Sequence, residues 1–151
     1  MNSLGVHIKV KDFARSEKFY KDLGFEKVFE YGPNKSVVED YSGAVFDVGG
    51  AQLEIADGHR AVKKEVFSET VKSSKISLMI GVEKLSNVIE VCNKVEIDIA
   101  VKPRHYYWGK LELVIRDPDG VILVFWAKYD EVEAKKILAD EAWMVKDRLP
   151  A

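Results

Sequence analysis

Carboxylates set near aromatic rings carry most of the chemistry that this chain's residue types allow. Glu54 stands in the alternating run Ala51-Gln52-Leu53-Glu54-Ile55, and Glu112 in Lys110-Leu111-Glu112-Leu113-Val114. His105-Tyr106-Tyr107-Trp108 run together just ahead of Glu112, and Trp126 shares a strand face with Val124 and Ile122. Carboxylates beside such rings suit an amphipathic or cationic ligand held by stacking and cation–π contact, although the same aromatic run would equally serve to pack on a neighbouring chain. His7 falls on a strand face with Gly5 and Lys9. There it can be a hydrogen-bonded packing residue, a ligand contact or, since imidazole titrates near neutrality, a proton carrier. Cys92 is the only cysteine, which excludes a disulfide framework or a Cys-x-x-Cys site. The chain holds no Ser/His/Asp or Cys/His nucleophile set and no phosphate-cradling glycine loop.

The elements that must position these residues read as two copies of one unit. Gly49-Gly50-Ala51-Gln52-Leu53-Glu54-Ile55 closes the first copy and Asp119-Gly120-Val121-Ile122-Leu123-Val124-Phe125 the second, with Gly50 and Gly120 in step 70 positions apart. Each copy opens on an alternating strand that runs into a helix. The first has a strand over 4–10, a helix over 13–22 capped by Asp12 and stopped by Gly24, and strands over 25–31, 44–48 and 51–56. Residues 57–74 are polar and aperiodic and read as a linker. The second copy has a strand over 75–82, a helix over 84–94, a strand near 97–102 broken by Pro103, and a loop carrying His105 to Gly109. Strands over 110–116 and 121–127 then flank Asp117-Pro118-Asp119-Gly120, whose Pro and Gly sit where a type I turn wants them. Beyond Asp130, the stripe Ala134, Leu138, Ala142, Val145 and Leu149 predicts a helix over 131–147, with Trp143 off the stripe. It would cover a sheet face, a pocket mouth or a dimer seam. The expected architecture is therefore α+β: two βαβββ repeats in a single domain over 1–151, with a C-terminal helical segment over 129–151. Net charge is −2, so no basic field exists to hold nucleic acid or an anionic membrane. With no apolar run long enough to span a bilayer and no signal-peptide pattern, the chain is expected to be soluble and cytoplasmic.

Val10-Lys11-Asp12 with Ser16, Phe19-Tyr20-Lys21-Asp22-Leu23-Gly24-Phe25, Trp108-Gly109 and Arg116-Asp117-Pro118-Asp119-Gly120 carry a resemblance. Together and in this order they resemble the vicinal oxygen chelate superfamily of glyoxalase I, ring-cleaving dioxygenases, fosfomycin resistance enzymes and bleomycin resistance proteins. The resemblance implies mixed, curved sheets around a cleft, and commonly a homodimer, sometimes formed by exchange of βαβββ halves. Members that use a divalent metal place one ligand on the first and one on the last strand of each copy. Those positions are Gly5, Glu54, Lys75 and Val124 here, and only Glu54 matches. Gly5 and Val124 offer no donor atom, and an ammonium repels a cation, so the expectation is no metal. The resemblance also brings Glu54 and Lys75 into one cleft, where the ammonium could stand in the metal's place or simply reach solvent. His7, on the same face as Gly5, could alternatively serve a shifted ion. The reading nearest the bleomycin-resistance branch is a metal-free protein binding a small molecule with His7, Glu54, Lys75, Trp108, Val124 and Trp126. The alternatives are a glyoxalase-like lyase or isomerase using Glu54 with His7 or Lys75, or a degenerate member acting through its dimer surface.

Overall fold

A computed structural model describes residues 1–106 and 108–141. Two compact units emerge: Met1–Lys72 with Asp117–Gly120, and the described residues of Ser73–Arg116 and Val121–Ala151.

In the first unit, alternation along β1 (Gly5–Lys9) turns Ile8 inward, with Val10 buried just beyond. The Asp12 carboxylate accepts the Arg15 backbone N–H at 3.1 Å, which starts α1 (Phe13–Asp22). Gly24, at φ 94°, ends it. Strands β2 (Glu26–Tyr31), β3 (Gly43–Val48) and β4 (Ala51–Ala56) follow. The sheet order is β1-β4-β3-β2, with β1 and β4 parallel and the other pairs antiparallel. Phe46, Leu53 and Ile55 join Ile8, Val10 and Tyr20 in one core, each side chain contributing about 1.5–3 kcal/mol by leaving water.

The 117–120 turn completes that core from far along the chain. The Gly120 N–H donates to the Asp117 carbonyl at 3.0 Å, as the type I turn chemistry requires. Buried Tyr20 donates its hydroxyl to Asp117 Oδ2 at 2.7 Å. Asp119 accepts the Lys11 backbone N–H at 3.0 Å and the Ser16 hydroxyl at 3.4 Å. The FYxxLGF and DPDG stretches are thus two sides of one hydrogen-bonded contact.

The second unit repeats the order with β5 (Ser77–Gly81), α2 (Leu85–Lys94), β6 (Ile99–Tyr106), β7 (Lys110–Arg116) and β8 (Ile122–Lys128), arranged β5-β8-β7-β6. Leu85, Cys92, Leu111, Leu113, Ile115, Leu123 and Phe125 fill its core, so Cys92 is a small buried side chain. In α3 (Glu131–Lys136), Asp130 accepts the Glu133 N–H at 3.0 Å. Glu133 in turn accepts the Ser86 N–H at 2.8 Å, so one helix caps the other.

Several sequence expectations change. Pro103 does not break the chain: β6 runs through it, because β6 is an edge strand and its ladder slips register between Val101 and Arg104, where a missing N–H costs little. His105 and Tyr106 are consequently strand residues rather than loop. The 57–74 segment contains a 3₁₀ turn, Lys64–Ser68, that buries Phe67. The helix expected over 131–147 ends at Lys136. Leu138 then adopts φ 53° and stands exposed, and Asp140 pairs with β6 by donating its N–H to the Pro103 carbonyl at 2.8 Å and accepting that of His105 at 2.9 Å. An unpaired edge strand outcompeted another helical turn. Ala142, Trp143, Val145 and Leu149 lie outside the described residues.

The repeat itself is not uniform. Gly5 lies opposite Gln52, but the residue opposite Ile122 is Ser77, so the first strands are 72 positions apart where the last strands are 70 apart. Lys75 precedes β5, exposed in a bend, instead of opening the strand.

Candidate functional site

The face of the first sheet turned away from the core gathers polar and aromatic groups. Cα partners across β2, β3, β4 and β1 form one row, Phe29–Val45–Glu54–His7, and the next row is Tyr31–Gly43–Ala56–Lys9. Period-two alternation puts all of them on the face opposite Phe46, Leu53 and Ile55. It is His7, not Gly5, that stands beside Glu54.

Glu54 has two neighbours of unequal strength. Tyr31 donates its hydroxyl to Glu54 Oε2 at 2.5 Å. His7 Nε2 lies 3.8 Å from the same oxygen, beyond hydrogen-bonding reach, and that buried nitrogen has no hydrogen-bond partner. Burial lowers the His7 imidazole below the ordinary histidine range; Glu54 opposes this, and Lys9 and His59 add to it. His7 is therefore neutral at neutral pH. Lys9 turns its ammonium back to the His7 carbonyl at 3.3 Å, away from Glu54. Burial, then the bond to Glu54, pushes the Tyr31 phenol well above its usual value, so it remains a donor.

The His59 ring meets that of His7 at 5.5 Å, edge to face. Its Nδ1 accepts the Ala61 N–H at 3.1 Å, which leaves the proton of the neutral ring on Nε2. His59 also lines a cavity of about 620 Å³, whose walls include Val62, Phe67, Lys11, Lys64 and Glu65.

The corresponding face of the second sheet is built differently. Met79 lies opposite Val124, which is buried. The next row is Gly81–Trp126–Glu112–Arg104. Trp126 packs over Gly81, where an added Cβ would come within 2.8 Å of the indole, and the Lys110 ammonium sits 4.0 Å from the ring centroid. Its cation–π partner is thus internal. Trp108 is about half exposed, stacks on Tyr106 at 4.8 Å and hydrogen-bonds Glu112. Burial raises the Glu112 carboxyl above the usual range. His105 stacks on Tyr129 at 3.6 Å and bonds to Glu141.

Of the residues singled out in the sequence, the structure brings His7 and Glu54 together in the first unit, and places Lys75, Trp108, Val124 and Trp126 in the second. Among the described residues no three His, Cys, Asp or Glu side chains converge as a metal-binding group. His7 and Glu54 supply two donors on the first sheet, and the matching pair of the second sheet, Met79 and Val124, supplies no oxygen or nitrogen ligand. Sequence reasoning missed Tyr31, Tyr41 and Gly43. The alternation of Phe29 with Tyr31 was visible, but the pairing of residue 31 with 43, and of 43 with 56, is non-local. No helix among the described residues is long and apolar enough to cross a membrane.

The family model described as Glyoxalase/Bleomycin resistance protein/Dioxygenase superfamily matches residues 4–125. Among solved structures, a glutamate-to-glutamine mutant of the fosfomycin resistance protein FosX of Listeria monocytogenes, in complex with Mn(II) and 1S,2S-dihydroxypropylphosphonic acid, superposes with a TM-score of 0.67 at 14% identity, over 89% of this chain and 98% of that one. FosX of Mesorhizobium loti gives 0.62 at 13%, over 90% and 98%. A glyoxalase/bleomycin resistance protein/dioxygenase of Alicyclobacillus acidocaldarius gives 0.59 at 16%, over 87% and 94%. At these identities the likeness is one of fold. No curated protein matches the chain by sequence.

Proposed function

The chain belongs to the glyoxalase/bleomycin resistance protein/dioxygenase superfamily, and from that premise we propose that it binds a small amphipathic or cationic molecule at the Glu54 face, without a metal ion and without breaking a bond. The setting of Glu54 carries this reading. Tyr31 fixes one carboxylate oxygen, and the other has no hydrogen-bond partner among the described residues. Phe29, Tyr31 and His7 frame the carboxylate on the same face. A cavity of about 620 Å³, reached from this group through the His59 ring that meets His7 at 5.5 Å, falls within the roughly 300–1,000 Å³ usual for small-molecule sites. A ligand would rest its apolar body near Val62 and Phe67 and direct a donor toward Glu54. Calorimetric titration of the full chain with benzylamine tests this: saturable one-to-one binding, weakened at least tenfold in Glu54→Gln, is expected. Stoichiometric zinc or manganese binding lost in the same variant would overturn it and make the protein metal-dependent.

His7 favours one second reading. A neutral imidazole with an unpartnered buried nitrogen beside a carboxylate is a group able to take up a proton. In a lyase or isomerase reaction, Glu54 would act as base with His7 as its proton partner. Saturable turnover of an α-keto hemithioacetal, lost in both Glu54→Gln and His7→Gln, would establish that chemistry in place of simple binding.

A further inference from the structure

The position of Tyr31 bears on what Glu54 can hold. Resting on the reading of the Glu54 face as a ligand site, we infer that Tyr31, seated on Gly43, is the selectivity-determining residue of that site: its hydroxyl occupies one oxygen of Glu54, and the remaining oxygen accepts a protonated amine and does not chelate a divalent ion.

The seat is specific. Gly43 is the Cα partner of Tyr31, and an added Cβ would lie 2.0 Å from Tyr31 Cζ and 2.3 Å from the hydroxyl oxygen. Only glycine leaves room for the phenol there. Tyr41 meets the same ring edge-on at 5.9 Å, and Phe29 lies 6.1 Å away along the strand. With the ring held on these sides, its hydroxyl is aimed at Glu54 Oε2 before any ligand arrives, and the 2.5 Å separation is that of a hydroxyl donating to a charged carboxylate. Burial and the Glu54 charge keep the phenol protonated, so the donor persists at neutral pH.

That bond orients the carboxylate and takes up part of its acceptor capacity. A divalent ion needs several converging donors, and it gains from a carboxylate that can offer either or both oxygens. Here Oε2 already accepts the Tyr31 hydroxyl, and the described residues bring no third carboxylate, imidazole or thiol to His7 and Glu54. A single anionic oxygen beside ring faces is the complement of a primary ammonium, which gives one N–H to the oxygen and sets its charge against the aromatics. A quaternary ammonium has no N–H to give. The Lys9 ammonium, bound to the His7 carbonyl, does not compete for the position.

Calorimetric titrations of the full chain with benzylamine, benzyltrimethylammonium and manganese chloride, in wild type, Tyr31→Phe and Glu54→Gln, test the inference. Wild type is expected to bind benzylamine at least tenfold more tightly than the quaternary analogue. Tyr31→Phe, which keeps the ring on Gly43, is expected to narrow that preference and to bind manganese at least tenfold more tightly than wild type. If Glu54→Gln abolishes benzylamine binding while Tyr31→Phe changes neither amine preference nor manganese affinity, the ligand site stands and the role of Tyr31 falls. If Glu54→Gln leaves benzylamine binding intact, the site itself falls. Should Tyr31→Phe fail to fold, ultraviolet titration of wild type against Glu54→Gln serves instead. A high-titrating phenol must move down in the variant, and an unchanged curve overturns the inference.

Discussion

The two sheets share strand order and the same parallel and antiparallel pairings, yet their matching faces do different things. On the central parallel pair, His7 stands opposite Glu54 in the first unit and Met79 opposite Val124 in the second. Glu54 keeps about a third of its side chain in solvent, whereas Val124 is buried and the Trp126 ring carries its own lysine. Backbone pairing and a core face suffice to specify the fold, so the opposite face of each copy is free to change. The first sheet's face carries a partly exposed acid with the hydroxyl that orients it. The second carries a buried acid, Glu112, bonded to Trp108, and an exposed Met79.

The largest test of this contrast uses the repeat-equivalent glycines. Gly50 and Gly120 have nearly the same φ, 90° and 87°, but only Gly120 has a neighbour at Cβ distance, the Val71 carbonyl oxygen at 2.2 Å. Gly50→Ala should cost about 1–2 kcal/mol, the left-handed backbone penalty alone. Gly120→Ala should cost about 3 kcal/mol or more, since strain and overlap combine there. Urea unfolding measures both, and equal losses would mean that the turn's placement against residues 70 and 71 is unimportant.

A middle-sized effect is expected at Tyr20. Tyr20→Phe removes the hydroxyl that Asp117 Oδ2 accepts, at about 1–2 kcal/mol, read from the same unfolding midpoint. No loss at all would reduce the first unit's long-range tie to its apolar contacts.

The smallest effects are pH slopes, and they have opposite signs for His7 and Glu112. His7 is held below its ordinary value of 6.5, so between that lowered value and 6.5 the unfolded chain binds more protons and stability rises with pH. Glu112 is held above its ordinary 4.5, so from 4.5 up to its raised value the folded chain binds more protons and stability falls as pH rises. Unfolding midpoints across that range should show His7→Gln removing the rising slope and Glu112→Gln the falling one. A variant that removed the other's slope would sink the assignment.

Much of this was legible in the residues. Asp12 and Gly24 bracket α1, DPDG names its turn, and the inward alternation of Leu53 and Ile55 in β4 needs no tertiary information. What escaped reading depended on partners distant in sequence. Pro103 is tolerated in β6 because, among the described residues, its outer side meets only the segment around Asp140, and α3 ends early for the same reason. Phe67 looked like one apolar residue in a polar linker until the 3₁₀ turn buried it. At the site, Glu54 and His7 stood out by type. Tyr31 did not, since its meaning comes from a glycine that only the β2–β3 pairing sets beneath it. The two-residue difference in first-strand spacing was equally invisible, and it puts Met79 rather than Lys75 in the second copy at the place His7 takes beside Glu54.

The turn at residues 117–120 also imposes an order in time. During synthesis, residues 1–72 leave the ribosome with α1 still lacking the acceptors of Ser16 and Tyr20 and with the Lys11 N–H unmatched. Those acceptors arrive only about 45 residues later, roughly 2–9 seconds at ordinary translation speeds. The first half to be made therefore cannot be finished until most of the second has been made, and a nascent chain halted short of Asp117 would leave that helix face open.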